Sequence, residues 1–268
     1  MLLFTGCFRQ MQAQEDSVLY AKDSVIELGE NCMAKFIERS VKPVAAKTQV
    51  ITKAGKTLSL AGFVKTVDSG NFSEQMLVDL DNDGKKELIV TNYTGGAHCC
   101  DEVYVFSNIT DLKYKHTARL IAGNTCITDS NLFIYDFYEQ FGYFFTCFAC
   151  SYSDSSDTAP EPVHNITLKY QKGKLTVVPG DTELKNTISD NLGKLGEQPY
   201  ETLEDGIAQD NGLRKEFAMN LAVYYYSFGR SLAATQQLFN KYYKYRDAKK
   251  VWAAFARQLE YMRKDNDF

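Results

Sequence analysis

Two periods divide the chain. Between residues 72 and 179 apolar and polar positions alternate in short runs, and from 211 onward apolar positions recur at threes and fours. Alternation marks a strand with one buried face, and the longer spacing marks an amphipathic helix. The alternating region predicts strands over 74–79, 87–93, 102–107, 115–121, 132–137, 143–147, 164–170 and 175–178. That rhythm is close to one strand per roughly 8–12 residues, as in all-β folds. In the second region Leu213, Phe217, Leu221, Tyr224, Tyr225 and Phe228 predict one helix, and 231–245 continues after Gly229. Val251, Trp252, Phe255, Leu259 and Met262 form the stripe of a further helix over 246–264, with Asp247 at its N-cap.

Ahead of the alternating region, 23–40 reads as one helix, with Val25, Ile26, Cys32, Met33, Phe36 and Ile37 on its apolar side and Gly29 weakening it. Residues 48–63 and 170–178 each read as a hairpin around a glycine-containing turn. Residues 151–162 form a polar loop. The segment 181–210 is polar and strand-poor; with Gly193 and Gly196 as breaks, it reads as a linker with short helical turns.

One stretch carries chemistry, "VDLDNDGKKELIV" from Val78 to Val90. Asp79, Asp81 and Asp83 stand at loop positions one, three and five, Gly84 at six, Lys85 at seven and Glu87 at nine. Carboxylates so close repel one another unless a cation lies among them. The glycine permits a sharp turn, the Lys85 backbone carbonyl adds an oxygen, and a hard cation such as Ca²⁺ takes an all-oxygen cage of this kind. An EF-hand also needs a glutamate at position twelve and helical flanks; here position twelve is Val90 and the flanks are strand-like. Mg²⁺ prefers fewer protein ligands and several waters, so the spacing favours calcium. The competing reading is a solvated acidic turn, since Asp-Gly and Asn-Asp favour turns without any metal.

The motif resembles the calcium loops of FG-GAP/VCBS-type repeats, of the form Asp-x-Asp-x-Asp-Gly-x-x-Asp/Glu-hydrophobic, matched at Asp79, Asp81, Asp83, Gly84, Glu87 and Leu88 over residues 76–106. The resemblance implies that Asp79, Asp81, Asp83 and Glu87 supply side-chain oxygens to a structural Ca²⁺. It also implies a loop between strands in an exported, bacterial type of protein. A propeller needs at least about four four-stranded blades. A single loop implies instead a blade-like fragment or a compact sandwich.

Composition sets limits around this. Hydrophobic residues make up 44% and charged residues 24%, enough apolar content for a sizeable core. A net charge of −4 argues against nucleic acid, whose backbone calls for clustered Lys and Arg. With 17 Tyr and 17 Phe, the chain suits half-buried sheets or a carbohydrate-facing surface. No stretch reaches the ~18 apolar residues of a membrane helix. The start "MLLFTGCFRQMQAQ" reads as the tail of a signal peptide cut after Ala13 or Gln14. The rival reading is a lipid anchor at Cys7, with Phe4 in place of the usual leucine. Both send the protein to the periplasm or beyond the cell.

Without Cys7, six cysteines remain: Cys32, Cys99, Cys100, Cys126, Cys147 and Cys150. An even set in an exported chain predicts disulfides, with Cys99 and Cys100 reaching different partners among Cys126, Cys147 and Cys150. The string "GGAHCC" at 95–100 is similar to one in uncharacterised exported bacterial proteins, which implies a shared fold and no activity. His98 with these cysteines also permits a zinc site or a thiol-based redox centre. Glu102 and Glu161 are candidates for a glycosidase pair. His116 and His164 read as surface or hydrogen-bonded residues.

The sequence thus predicts an α+β protein in five segments. These are 1–14, a signal-peptide remnant; 15–66, helix and hairpin; 67–180, a disulfide-stapled antiparallel β-domain (propeller-blade-like or sandwich); 181–210, a linker; and 211–268, a three-helix unit. The favoured function is an exported, non-enzymatic binding or envelope-associated module with structural Ca²⁺ and a protein or glycan ligand. The alternatives are a secreted hydrolase and a zinc or redox protein.

Overall fold

The alternating stretch folds as antiparallel sheet, as shown by a computed structural model of the 268-residue chain. It describes residues 24–27, 32–37, 47–52, 57–59, 73–93, 101–110, 113–122, 126–128, 131–150, 152, 162–199, 202–204, 207–210 and 212–268. Four antiparallel strands come first: β1 (Ser24–Glu27), β2 (Cys32–Ile37), β3 (Lys47–Thr52) and β4 (Thr57–Ser59), paired in that order. A four-stranded meander follows, β5 (Ser73–Val78), β6 (Glu87–Tyr93), β7 (Asp101–Thr110) and β8 (Lys113–Ala122). A further sheet has the order β12-β11-β10-β9, built from β9 (Cys126–Ile127), β10 (Leu132–Asp136), β11 (Asn165–Gln171) and β12 (Lys174–Val177). Next come α1 (Thr182–Gly196), the hairpin β13 (Thr202–Glu204) and β14 (Ile207–Gln209), α2 (Leu213–Ser227), α3 (Leu232–Tyr242) and α4 (Ala248–Asp265). The described residues are therefore α+β, with antiparallel sheets and four helices among them.

Three expectations are corrected. Residues 23–40 are not a helix: β1 and β2 pair antiparallel, with Glu27 opposite Met33. Short apolar runs fit either period, and Gly29, which weakens a helix from within, lies between the strands. Residues 143–147 are not a strand but part of a hydrogen-bonded turn series from Phe137 to Cys150. Phe137 and Phe141 drop into the core from these turns. Finally, the expected linker contains α1, capped by the Asp181 carboxylate on the Leu184 N–H at 2.8 Å, with Ile188, Leu192 and Leu195 buried. Gly196 is a packing residue rather than a break, since a Cβ there would lie 2.5 Å from the Tyr242 carbonyl oxygen.

One buried cluster joins sheet and helices: Phe133, Tyr135, Ile166, Leu168 and Tyr170 share it with Phe217, Leu221, Val251 and Phe255. At its centre is α2, buried at nearly every position. Its polar side chains must therefore find partners inside the protein. Lys215 donates to the carbonyls of Phe148 (2.7 Å), Cys150 (2.9 Å) and Cys147 (3.4 Å). Glu216 binds His164 Nε2 at 2.8 Å and accepts from Asn220, whose Oδ1 accepts in turn from Asn191. After α4, the Asp267 N–H donates to the Arg119 carbonyl, and Asn266 and Asp267 accept from the β8 backbone. The tail thereby covers the sheet edge. Among the described residues, no helix is long and apolar enough to cross a membrane.

Candidate metal centre

The acidic loop spans 79–86, closed by the pairing of Val78 with Glu87 across β5 and β6. Positive φ at Asn82 (57°) and Gly84 (85°) turns the backbone. Asparagine and glycine are the residues that tolerate this conformation best. Asp79 organises the bend: its Oδ1 accepts the Asp83 N–H at 3.0 Å and its Oδ2 the Gly84 N–H at 2.9 Å. Asp83 Oδ1 accepts from the Lys85 N–H at 2.8 Å. Leu80, buried in the core, anchors the loop, and its N–H donates to Glu87 Oε2 at 2.9 Å.

Two further segments dock on the loop. The Asn131 side-chain amide donates to the Asp79 carbonyl at 2.8 Å, and the Lys172 backbone N–H donates to Asp81 Oδ2 at 3.0 Å. Lys172 and Gly173 have φ of 50° and 79° in the two-residue β11–β12 turn, as a primed hairpin turn requires. The loop thus contacts both the meander it belongs to and the sheet β9–β12.

Carboxylate oxygens of Asp79, Asp81 and Glu87 converge to within 4.8 Å of one another. Asp83 is not in this group and lies exposed; Lys85 is exposed as well. Glu87 is 4% exposed. Burial pushes its carboxyl up to about 7; the Leu80 N–H opposes the shift, and the Asp81 and Asp83 charges add to it. Among the described residues Asp81 Oδ1 is buried with no hydrogen-bond partner. A buried oxygen without a donor is costly, and a cation among three carboxylates would remove that cost. The donor set, all oxygen and without histidine or thiolate, fits a hard divalent cation.

The other expected sites stand differently. Cys147 and Cys150 form a disulfide with each other, closing one turn rather than joining strands. Their sulfurs therefore neither reach Cys99 or Cys100 nor act as thiolate ligands for zinc. His98, Cys99, Cys100, Glu161 and Cys7 lie outside the described residues. Glu102 is buried against Arg119 and the Tyr104 hydroxyl, which holds it as an ion-pair partner. His116 is half-buried, its ring tilted against those of Tyr104 and Phe106, and among the described residues its buried Nε2 has no hydrogen-bond partner, so it is not the surface or hydrogen-bonded residue expected. His164 is bound to Glu216, a contact 52 residues apart that no local pattern announces. Asp247 stands at the α4 N-cap without a side-chain cap bond, because its carboxylate binds Arg214 and Tyr243 instead. No family model, curated protein or solved structure matches the chain.

Proposed function

We propose that the β5–β6 loop holds a structural Ca²⁺ ion and that the protein is an exported, non-enzymatic binding or envelope-associated module braced by it. The observation that carries this reading is Asp81 Oδ1, buried and unpartnered beside the Asp79 and Glu87 carboxylates. Asp79, Asp81 and Glu87 would supply oxygens, with Asp83 and the Lys85 carbonyl as further ligands from the rim. The bound ion would neutralise the cluster and fix the loop on which Asn131 and Lys172 dock. The four-stranded meander β5–β8 supports the blade-like reading of the β-domain. The ligand class it would serve is a protein or a glycan.

The test is thermal unfolding of the non-reduced protein after EDTA, with Ca²⁺ or Mg²⁺ added back, beside Asp81→Ala. Ca²⁺ is expected to raise Tm in the wild type and not in the variant. Equal melting with and without Ca²⁺ would leave the loop an acidic turn and remove this reading.

A further inference from the structure

The Cys147–Cys150 disulfide encloses a single turn, with the Cys150 N–H donating to the Cys147 carbonyl at 3.2 Å. So short a ring restrains the unfolded chain little compared with a long-range bridge. Cys147 is exposed and Cys150 half-buried. Lys215, 0% exposed, binds the same turn, and among the described residues all its hydrogen-bond acceptors are carbonyls of this one turn. Its ammonium also lies over the Tyr138 ring at 4.3 Å and the Phe148 ring at 5.8 Å. A weakly bridging disulfide that is open to solvent and seated on a buried cation is poorly explained as a staple. Cys147 is accessible as a reactive cysteine is. Burial draws the Lys215 ammonium below its ordinary value, and the Glu216 and Glu139 charges oppose this; a positive charge held on the same turn favours a thiolate there.

We propose that Cys147–Cys150, held by Lys215, is a thiol–disulfide exchange site that oxidises a dithiol substrate. A substrate thiolate attacks Cys147 Sγ, the S–S bond breaks, and Cys150 leaves as a thiolate on the turn whose carbonyls bind Lys215. The substrate's second thiolate then attacks the substrate sulfur of the mixed disulfide and releases Cys147. The substrate loses two electrons and becomes a disulfide; Cys147 and Cys150 gain them, and the two protons pass to the new thiols or to solvent. Lys215 touches no substrate and is a positioning residue. The site is independent of the calcium loop.

The experiment equilibrates the folded full chain with mixtures of reduced and oxidised glutathione, then alkylates it and maps the peptides. Mapping reads this pair apart from the remaining five of the seven cysteines. Half-reduction within the glutathione range, with the circular dichroism unchanged, is expected; structural disulfides resist that pool. In reduced protein the pH profile of Cys147 or Cys150 alkylation is expected to place one thiol below the ordinary value of about 8.5. Lys215→Met should raise that value and shift the exchange equilibrium about tenfold toward the disulfide. A pair that stays oxidised in every mixture, or whose reduction melts the fold, overturns the proposal. So do two thiols with ordinary pH profiles. Should Lys215→Met fail to fold, the wild-type titration and pH profile decide the matter alone.

Discussion

Lys172 donates its backbone N–H to Asp81 Oδ2 across 3.0 Å, joining residues 91 positions apart in the chain. The bond ties the β11–β12 turn to the acidic loop, so whatever orders Asp81 also orders that hairpin. Ca²⁺ is therefore expected to slow amide exchange at 165–177 as well as at 79–87. At a hundredfold excess over Kd, binding to the folded form alone contributes about 2.7 kcal/mol. For a chain of this size that corresponds to a Tm rise of roughly 5–10 °C. Asp81→Ala should abolish both effects. Protection confined to the loop would show that the two sheets are not coupled through it.

Glu87 makes the calcium-free protein sensitive to pH. Its carboxyl titrates at about 7 when folded, against an ordinary 4.5, chiefly because it is buried. The folded state thus holds a proton that the unfolded state has released between those values. Its contribution is fully present below about 4.5 and is lost as pH rises through about 7. In EDTA, Tm should fall from pH 5 to pH 8, and Glu87→Gln should flatten that part of the profile. The proposed Ca²⁺ would compete with the proton, so its affinity should increase over the same window.

Two glycines of α1 separate packing from propensity. A Cβ at Gly196 would lie 2.5 Å from the Tyr242 carbonyl oxygen, a backbone atom that cannot swing aside. Gly196→Ala is expected to destabilise by about 1–3 kcal/mol. At Gly193 the nearest atom is on the Tyr242 ring at 3.6 Å, an ordinary contact. Gly193→Ala should be neutral or stabilise by roughly 0.5–1 kcal/mol, since alanine is the better helix former. Urea denaturation of the two variants reads the contrast.

The acidic loop was legible because its information is local: carboxylates at alternate positions with Gly84 at the bend need no knowledge of the rest of the fold. The α4 stripe was legible for the same reason, with Val251, Phe255, Leu259 and Met262 buried as their spacing implies. Helix α2 was legible from Leu213, Phe217 and Leu221 at helical spacing, but its burial on nearly every side was not. Lys215, Glu216 and Asn220, buried in it, demand internal partners that the apolar spacing does not name. Those partners, His164 and the turn at 147–150, come from distant segments that only tertiary packing brings near. The glycines of α1 misled because a glycine placed for close approach and one placed as a break look identical in sequence.

The last expectation concerns the buried chain Asn191–Asn220–Glu216–His164. Glu216 Oε1 and Oε2 lie 2.9 and 2.8 Å from His164 Nε2, and Oε1 also accepts from the Asn220 amide at 2.9 Å. Removing the glutamate side chain leaves His164 Nε2 without its acceptor and Asn220 with only the residue 216 backbone carbonyl, 3.0 Å from its amide. Leaving buried groups unpaired costs about 1–3 kcal/mol each. Glu216→Ala is therefore expected to destabilise by roughly 1–3 kcal/mol, and His164→Ala, which leaves the buried Glu216 carboxylate with the Asn220 amide alone, by a similar amount. A double-mutant cycle between the two should return a coupling of about 1–3 kcal/mol. Additive losses would mean that the pair is held in place by its surroundings without contributing to them. The apolar stripe of α2 alone would then account for the docking of that helix against β11.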